Sequence, residues 1–170
     1  MKKENPEITV ESGLDILSLL NFESMITQVL DQIFGEMISL PLVVSREASL
    51  LEGPTISSEI DFVGVIVGHI HLHIPLEFAR LVTAQFTSMD PAELDNELIF
   101  DTIGEVTNMI SGNLKTDLCN TGFECSLKVP RVTHVDTAPV VSEEGSPLLF
   151  SHNEIHSFRV VINLKNGVPV

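Results

Sequence analysis

Apolar positions along the chain switch between two periods, and the switches outline a fold. In ESMITQVLDQIFGEM, Ile26, Val29, Leu30, Ile33 and Met37 recur at helical spacing. This predicts a helix over about 21–37, ended by Pro41. Strands are expected next, near 41–48, 55–62 and 65–74, with a turn around Gly64. In the third strand Ile66, Ile70, Leu72 and Ile74 share one face. LEFARLVTAQFTSM has the pattern of a second helix. Asp90-Pro91-Ala92-Glu93 is a helix start signal: aspartate can cap, proline suits the first position, and glutamate completes a capping box. A long helix is expected from there to about Cys119, with Gly122 just past its end.

The remainder returns to a strand pattern. FECSLKV and the stretch after Pro130 come first, then an acidic loop SEEGSP, in which Glu143 and Glu144 are expected to be solvated. LLFS and FRVVINL follow, the latter alternating Phe158, Val160, Ile162 and Leu164. Short connections between strands favour antiparallel pairing. The expectation is an α+β domain with a mostly antiparallel sheet packed against helices, not a doubly wound sheet. Each half opens with a helix and continues into strands, which hints at internal duplication.

Composition narrows the function classes. The chain has 170 residues and 44% apolar content, enough for one domain with a real core. A formal charge of −15 opposes nucleic-acid phosphates, and the absence of Trp and Tyr leaves few base-stacking groups. The N-terminal MKKENPEITVES carries lysines with no apolar stretch behind them, so no signal peptide is expected there. No apolar run reaches membrane-spanning length. Cys119 and Cys125 are expected to be free thiols in a reducing cytoplasm.

The long helix carries the candidate chemistry. On a helical wheel Ile99, Ile103, Val106, Ile110 and Leu114 form the core face, while Asp101, Glu105, Asn108 and Gly112 lie opposite. Glu105 and Asn108, three apart, are neighbours. Most amphipathic helices have such a polar face, so spacing alone decides little. Gly104 and Gly112 are more telling, since glycine inside a helix costs about 1 kcal/mol relative to alanine. Gly112 would let another backbone approach the stripe, and Met109 flanks it with apolar surface; packing within the domain is the alternative. An amide cannot act as a base, but it can orient a water for in-line attack, and a carboxylate can pair with a partner's lysine. No Ser–His or Cys–His pair suggests covalent catalysis.

Asp101-x3-Glu105-x2-Asn108, followed after 21 further residues by Pro130, resembles the signature of the CheC/CheX/FliY chemotaxis phosphatases. ELDNELIFDTIGEVTNMISGNL is similar to the long active-site helix of the CheX branch, and the resemblance runs from about residue 21 to the C-terminus, leaving 1–20 as an extension. It implies hydrolysis of the aspartyl phosphate of a CheY-like response regulator. By position, Asn108 would orient the attacking water and Glu105 would pair with the regulator's lysine. Asp101 would be supportive, and Pro130 would set the chain beside the helix end. No cofactor is implied in this chain, only Mg2+ in the partner. CheC-type members repeat E-x-x-N on the first helix. Here Glu23 is followed by Ile26 at the asparagine position, which favours the single-site CheX branch. A cytoplasmic homodimer is implied, with no membrane or nucleic-acid partner. A receiver-binding module of the same fold without catalysis is the alternative.

GHIHLHIP places His69, His71 and His73 on one strand face. Such histidines can ligate zinc if a third ligand comes from elsewhere. A solvated strand face is the simpler expectation, and no metal is assigned. The same stripe could make a contact sensitive to pH.

Overall fold

The structure is a computed structural model that describes residues 20–45, 51–136 and 146–167. Residues 1–19 and the acidic pair Glu143 and Glu144 lie outside the described residues. Helix α1 (Phe22–Leu30) is capped by Asn21, whose side chain accepts from the Ser24 amide at 3.0 Å. It runs on into a π-helical segment, Asp31–Met37. Strands β1 (Val43–Ser45), β2 (Thr55–Gly64) and β3 (Ile66–Pro75) follow, then α2 (Leu76–Thr87). After a 3-10 turn at Pro91–Glu93 comes α3 (Asn96–Asn120). Strands β4 (Cys125–Leu127), β5 (Arg131–Val135), β6 (Ser146–His152) and β7 (His156–Asn166) complete the fold.

The sheet order is β1-β6-β7-β3-β2-β4, with β5 also on β2, and every described pairing is antiparallel. The order has a twofold logic. The last strands of the two halves, β3 and β7, pair at the centre, and the middle strands β2 and β6 flank them. The outer strands are exchanged: β1 lies on β6, while β4 and β5 lie on β2.

The core lies between one sheet face and the helices. Ile56, Ile60, Ile66, Ile70, Leu72, Ile74, Phe158 and Val160 are buried there with Ile26, Ile33, Phe34, Phe78 and Val82. Gly68 holds the remaining core-face position of β3. Its φ is +133°, and an added β-carbon would lie 1.9 Å from the Asn163 carbonyl oxygen, so only glycine allows β7 to approach.

Three sequence expectations change. The first helix keeps its expected end at Met37, but its last stretch, Asp31–Met37, is π-helical and not α-helical. The Ile38 amide donates to the Ile33 carbonyl at 3.0 Å and the Leu40 amide to Phe34 at 2.7 Å, which widens the last turns. Widening keeps Ile33 and Phe34 buried but turns Met37 out to 61% exposure, against its helical phase. Second, Asp90 caps only the short 3-10 turn, its carboxylate accepting from the Ala92 amide at 2.9 Å. Leu94 is extended and buried, and the Arg80 guanidinium donates to its carbonyl at 3.1 Å. The long helix therefore starts later, capped by Asp95, which accepts from the Leu98 amide at 2.8 Å. Third, Pro147 stands in β6 and not in a loop.

Candidate functional site

Helix α3 has 25 residues and would be about 37 Å long at ~1.5 Å per residue. Its inner face buries Ile99, Ile103, Val106, Ile110, Leu114 and Leu118. Thr102 and Thr107, also buried, donate back to the Leu98 and Ile103 carbonyls at 2.8 and 2.7 Å, whereas the buried Ser111 hydroxyl has no hydrogen-bond partner among the described residues. With that face anchored, Asp101, Glu105 and Asn108 are exposed on successive turns. Among the described residues, neither the Glu105 nor the Asn108 side chain has a hydrogen-bond or ion-pair partner.

The three side chains line one wall of a surface groove of about 1090 Å³. Phe100 and Gly104 complete that wall, and Leu127 to Val132 form the other. The second wall is held by β2: β4 and β5 pair with its two ends, and the Lys128 amide donates to the Asp61 carbonyl at 3.0 Å. Pro130 thus lies across the groove from Phe100–Asn108, in the N-terminal half of α3, and not beside the helix end as the resemblance implied. Gly104 allows the walls to approach, because an added β-carbon would sit 3.2 Å from Val132 Cγ2. This is packing within the domain, against a strand.

Gly112 and Met109 do not line the groove. A β-carbon at Gly112 would meet nothing within 4 Å, so no packing inside the described chain explains this glycine. On α1, Glu23 is exposed but Ile26 is fully buried in the core, so that helix presents no second polar pair. The sequence reading missed Phe100, Lys128, Val129 and Arg131 as lining residues. The nearest signal was KVPR around Pro130, in which Val129 is 81% exposed.

The histidine stripe occupies the sheet face away from the helices. His69 and His71 are partly buried and His73 fully buried, so this is not a simply solvated face. Asp61 and Glu59 stand opposite His69 and His71 on β2. Arg131 donates to Asp61 at 2.8 Å and also pairs with Glu59. The Arg131 guanidinium holds the Asp61 carboxyl below its ordinary value. The two cysteines are free; burial, then the neighbouring Cys119, pushes the Cys125 thiol up to about 11.

The sequence profile described as "Chemotaxis phosphatase CheX" matches residues 56–151, more than half of the chain. The chain belongs to the CheX family. The fold agrees. Chemotaxis protein CheX from Vibrio vulnificus superposes with a TM-score of 0.73 at 23% identity, covering 86% of this chain and 97% of that one. A CheC-like superfamily protein from Shewanella sp. PV-4 gives 0.71 at 19% identity, with 86% and 99% covered. The CheX-CheY-BeF3-Mg2+ complex from Borrelia burgdorferi gives 0.66 at 18% identity, again with 86% and 99% covered. No curated protein matches the sequence. No helix among the described residues is long and apolar enough to cross a membrane.

Proposed function

We propose that this CheX-family protein hydrolyses the aspartyl phosphate of a CheY-like response regulator, with Asn108 and Glu105 as the working residues. The observation that carries the reading is the state of those two side chains. They are exposed, free of partners among the described residues, one turn apart on a rigid helix, and at the positions of the family motif. A carboxylate and an amide left unsatisfied over a groove suit engagement by another molecule. The relative captured with CheY, BeF3 and Mg2+ supports a receiver domain as that molecule.

In this mechanism α3 docks over the receiver's phosphorylation site. The Asn108 amide hydrogen-bonds a water and holds it in line with the phosphorus. The water oxygen attacks as the bond to the aspartyl oxygen breaks, and the carboxylate leaves. Mg2+ belongs to the receiver and offsets the phosphoryl charge there. Glu105, unable to act on the phosphate itself because both are anionic, pairs with the receiver's lysine and fixes the docking register. Asp101, one turn back on the same groove wall, supports this arrangement, and Pro130 shapes the opposite wall.

Phosphate release from phosphorylated receiver domains, with and without this protein, tests the reading. Asn108→Ala is expected to lower the stimulated rate about 100-fold while binding persists. Glu105→Ala is expected to raise KM and lower the rate. Wild-type rates in both variants would remove the assignment. A receiver that binds but keeps its phosphate lifetime unchanged would instead identify a non-catalytic binding module.

A further inference from the structure

The outer sheet face carries a second constellation, joined to the groove through Arg131, which lines both. On β2, Glu59 and Asp61 point to the side away from the core, opposite His71 and His69 on β3. The four side chains form the corners of a two-by-two patch on paired internal strands. Opposed positions in such a ladder hold their Cβ atoms about 5 Å apart with little freedom. Donor atoms of Glu59, Asp61 and His69 all lie within 4.8 Å of one another, and all three residues are partly buried. His71 Nε2 contacts the Glu59 carboxylate, and its ring centroid lies 5.1 Å from that of His69. His73, buried further along the strand, is not part of the group. The ligand that the histidines lack on their own strand is thus supplied by carboxylates on the neighbouring one.

We propose that Glu59, Asp61 and His69 form a binding site for a divalent transition-metal ion of the Zn2+ class, with His71 bracing Glu59. One imidazole and two carboxylates match the borderline donors that Zn2+ accepts, whereas Mg2+ and Ca2+ prefer oxygen alone. A carboxylate held by a second imidazole has the outer support that metal ligands need. In the structure Arg131 supplies most of the countercharge, paired with both carboxylates, and Lys128 Nζ stands 3.9 Å from Asp61. Its side chain is 53% exposed, so it can swing into water when an ion arrives. An ion-pair ladder by itself requires only the carboxylates and the guanidinium; it does not require an imidazole opposite each carboxylate.

Calorimetric titration of the whole chain with ZnCl2, and with MgCl2 as control, tests the site. One Zn2+ per chain is expected to bind, with no heat from Mg2+. His69→Ala is expected to abolish binding, and His71→Gln to weaken it about 10–100-fold. Arg131→Gln should tighten it by removing the competitor. Circular dichroism on each variant checks that the fold is retained, and Asp61→Asn provides a second, nearly isosteric ligand deletion. No Zn2+ heat leaves an ion-pair ladder only and overturns the proposal. Zn2+ binding unchanged in both His69→Ala and Asp61→Asn overturns it equally. None of these outcomes depends on whether the protein dephosphorylates a receiver.

Discussion

Gly104 faces Val132 so closely that a β-carbon on the glycine would stand 3.2 Å from Val132 Cγ2. The contact sets how near the two walls of the groove can lie. Alanine at 104 gains about 1 kcal/mol of helix propensity and loses a similar amount to the tight contact. Gly104→Ala is therefore expected to change stability by less than about 1 kcal/mol. Gly104→Leu has no such balance, and overpacking should destabilise by about 1–3 kcal/mol and lower phosphatase activity by displacing β5. Urea denaturation and phosphate release read the two effects.

Gly112, on the same helix, has the opposite surroundings, with nothing within 4 Å of a β-carbon built there. Gly112→Ala is expected to stabilise the protein by about 1 kcal/mol. A thermal melt checks this. If Gly112 serves a docking partner, the same variant raises KM for the receiver while kcat holds.

Asn108 and Glu105 lie on the solvent side of α3 and support nothing in the described fold. Asn108→Ala and Glu105→Ala should each alter stability by no more than about 0.5 kcal/mol. A variant that loses activity together with several kcal/mol of stability would show a structural role instead.

The raised pKa of Cys125, about 11, has a direct chemical reading. The thiolate is the nucleophile, so Cys125 should react slowly with iodoacetamide at pH 8 in the native state and rapidly after unfolding. The linkage has a definite sign. The folded state favours the protonated thiol, so this contribution is complete below the ordinary thiol value of 9.0 and is lost as pH rises through about 11. Rates of alkylation across that range provide the check.

Asp61 has the opposite sign. Its carboxyl is held low, first by the hydrogen bond from Arg131 and then against the desolvation that burial imposes. The contribution is present above 3.8 and lost as pH falls through the lower folded value. The stability difference between wild type and Arg131→Gln should accordingly persist at neutral pH and close below 3.8. It should also shrink with added salt, because the pair is largely at the surface.

What was legible in the sequence was whatever depends on local period. The buried row from Ile99 to Leu114, the exposed Asp101, Glu105 and Asn108, and the core alternation of β7 all follow from side-chain repeats. The π-helical end of the first helix was not legible, because it turns on which carbonyls the Ile38 and Leu40 amides donate to. Nor was the choice of Asp95 over Asp90 as the long helix's cap. That depends on Leu94 entering the core and on Arg80, from another helix, taking its carbonyl. The groove's second wall was hidden for a similar reason. Lys128 to Val132 reach α3 only because β2, far back in the chain, pairs with the strands on either side of them. Arg131 meets Glu59 and Asp61 through the same pairing.

The exchange of outer strands between halves means that neither half owns a finished sheet. A chain cut between Ser88 and Asp95 would leave β1 in one piece and its partner β6 in the other, and β2 parted from β4 and β5. The wall facing Asn108 would then hang on a strand the second piece does not possess. Two such fragments have a reason to recombine and little reason to fold apart, so the candidate site is a product of the interlock and not the property of either half.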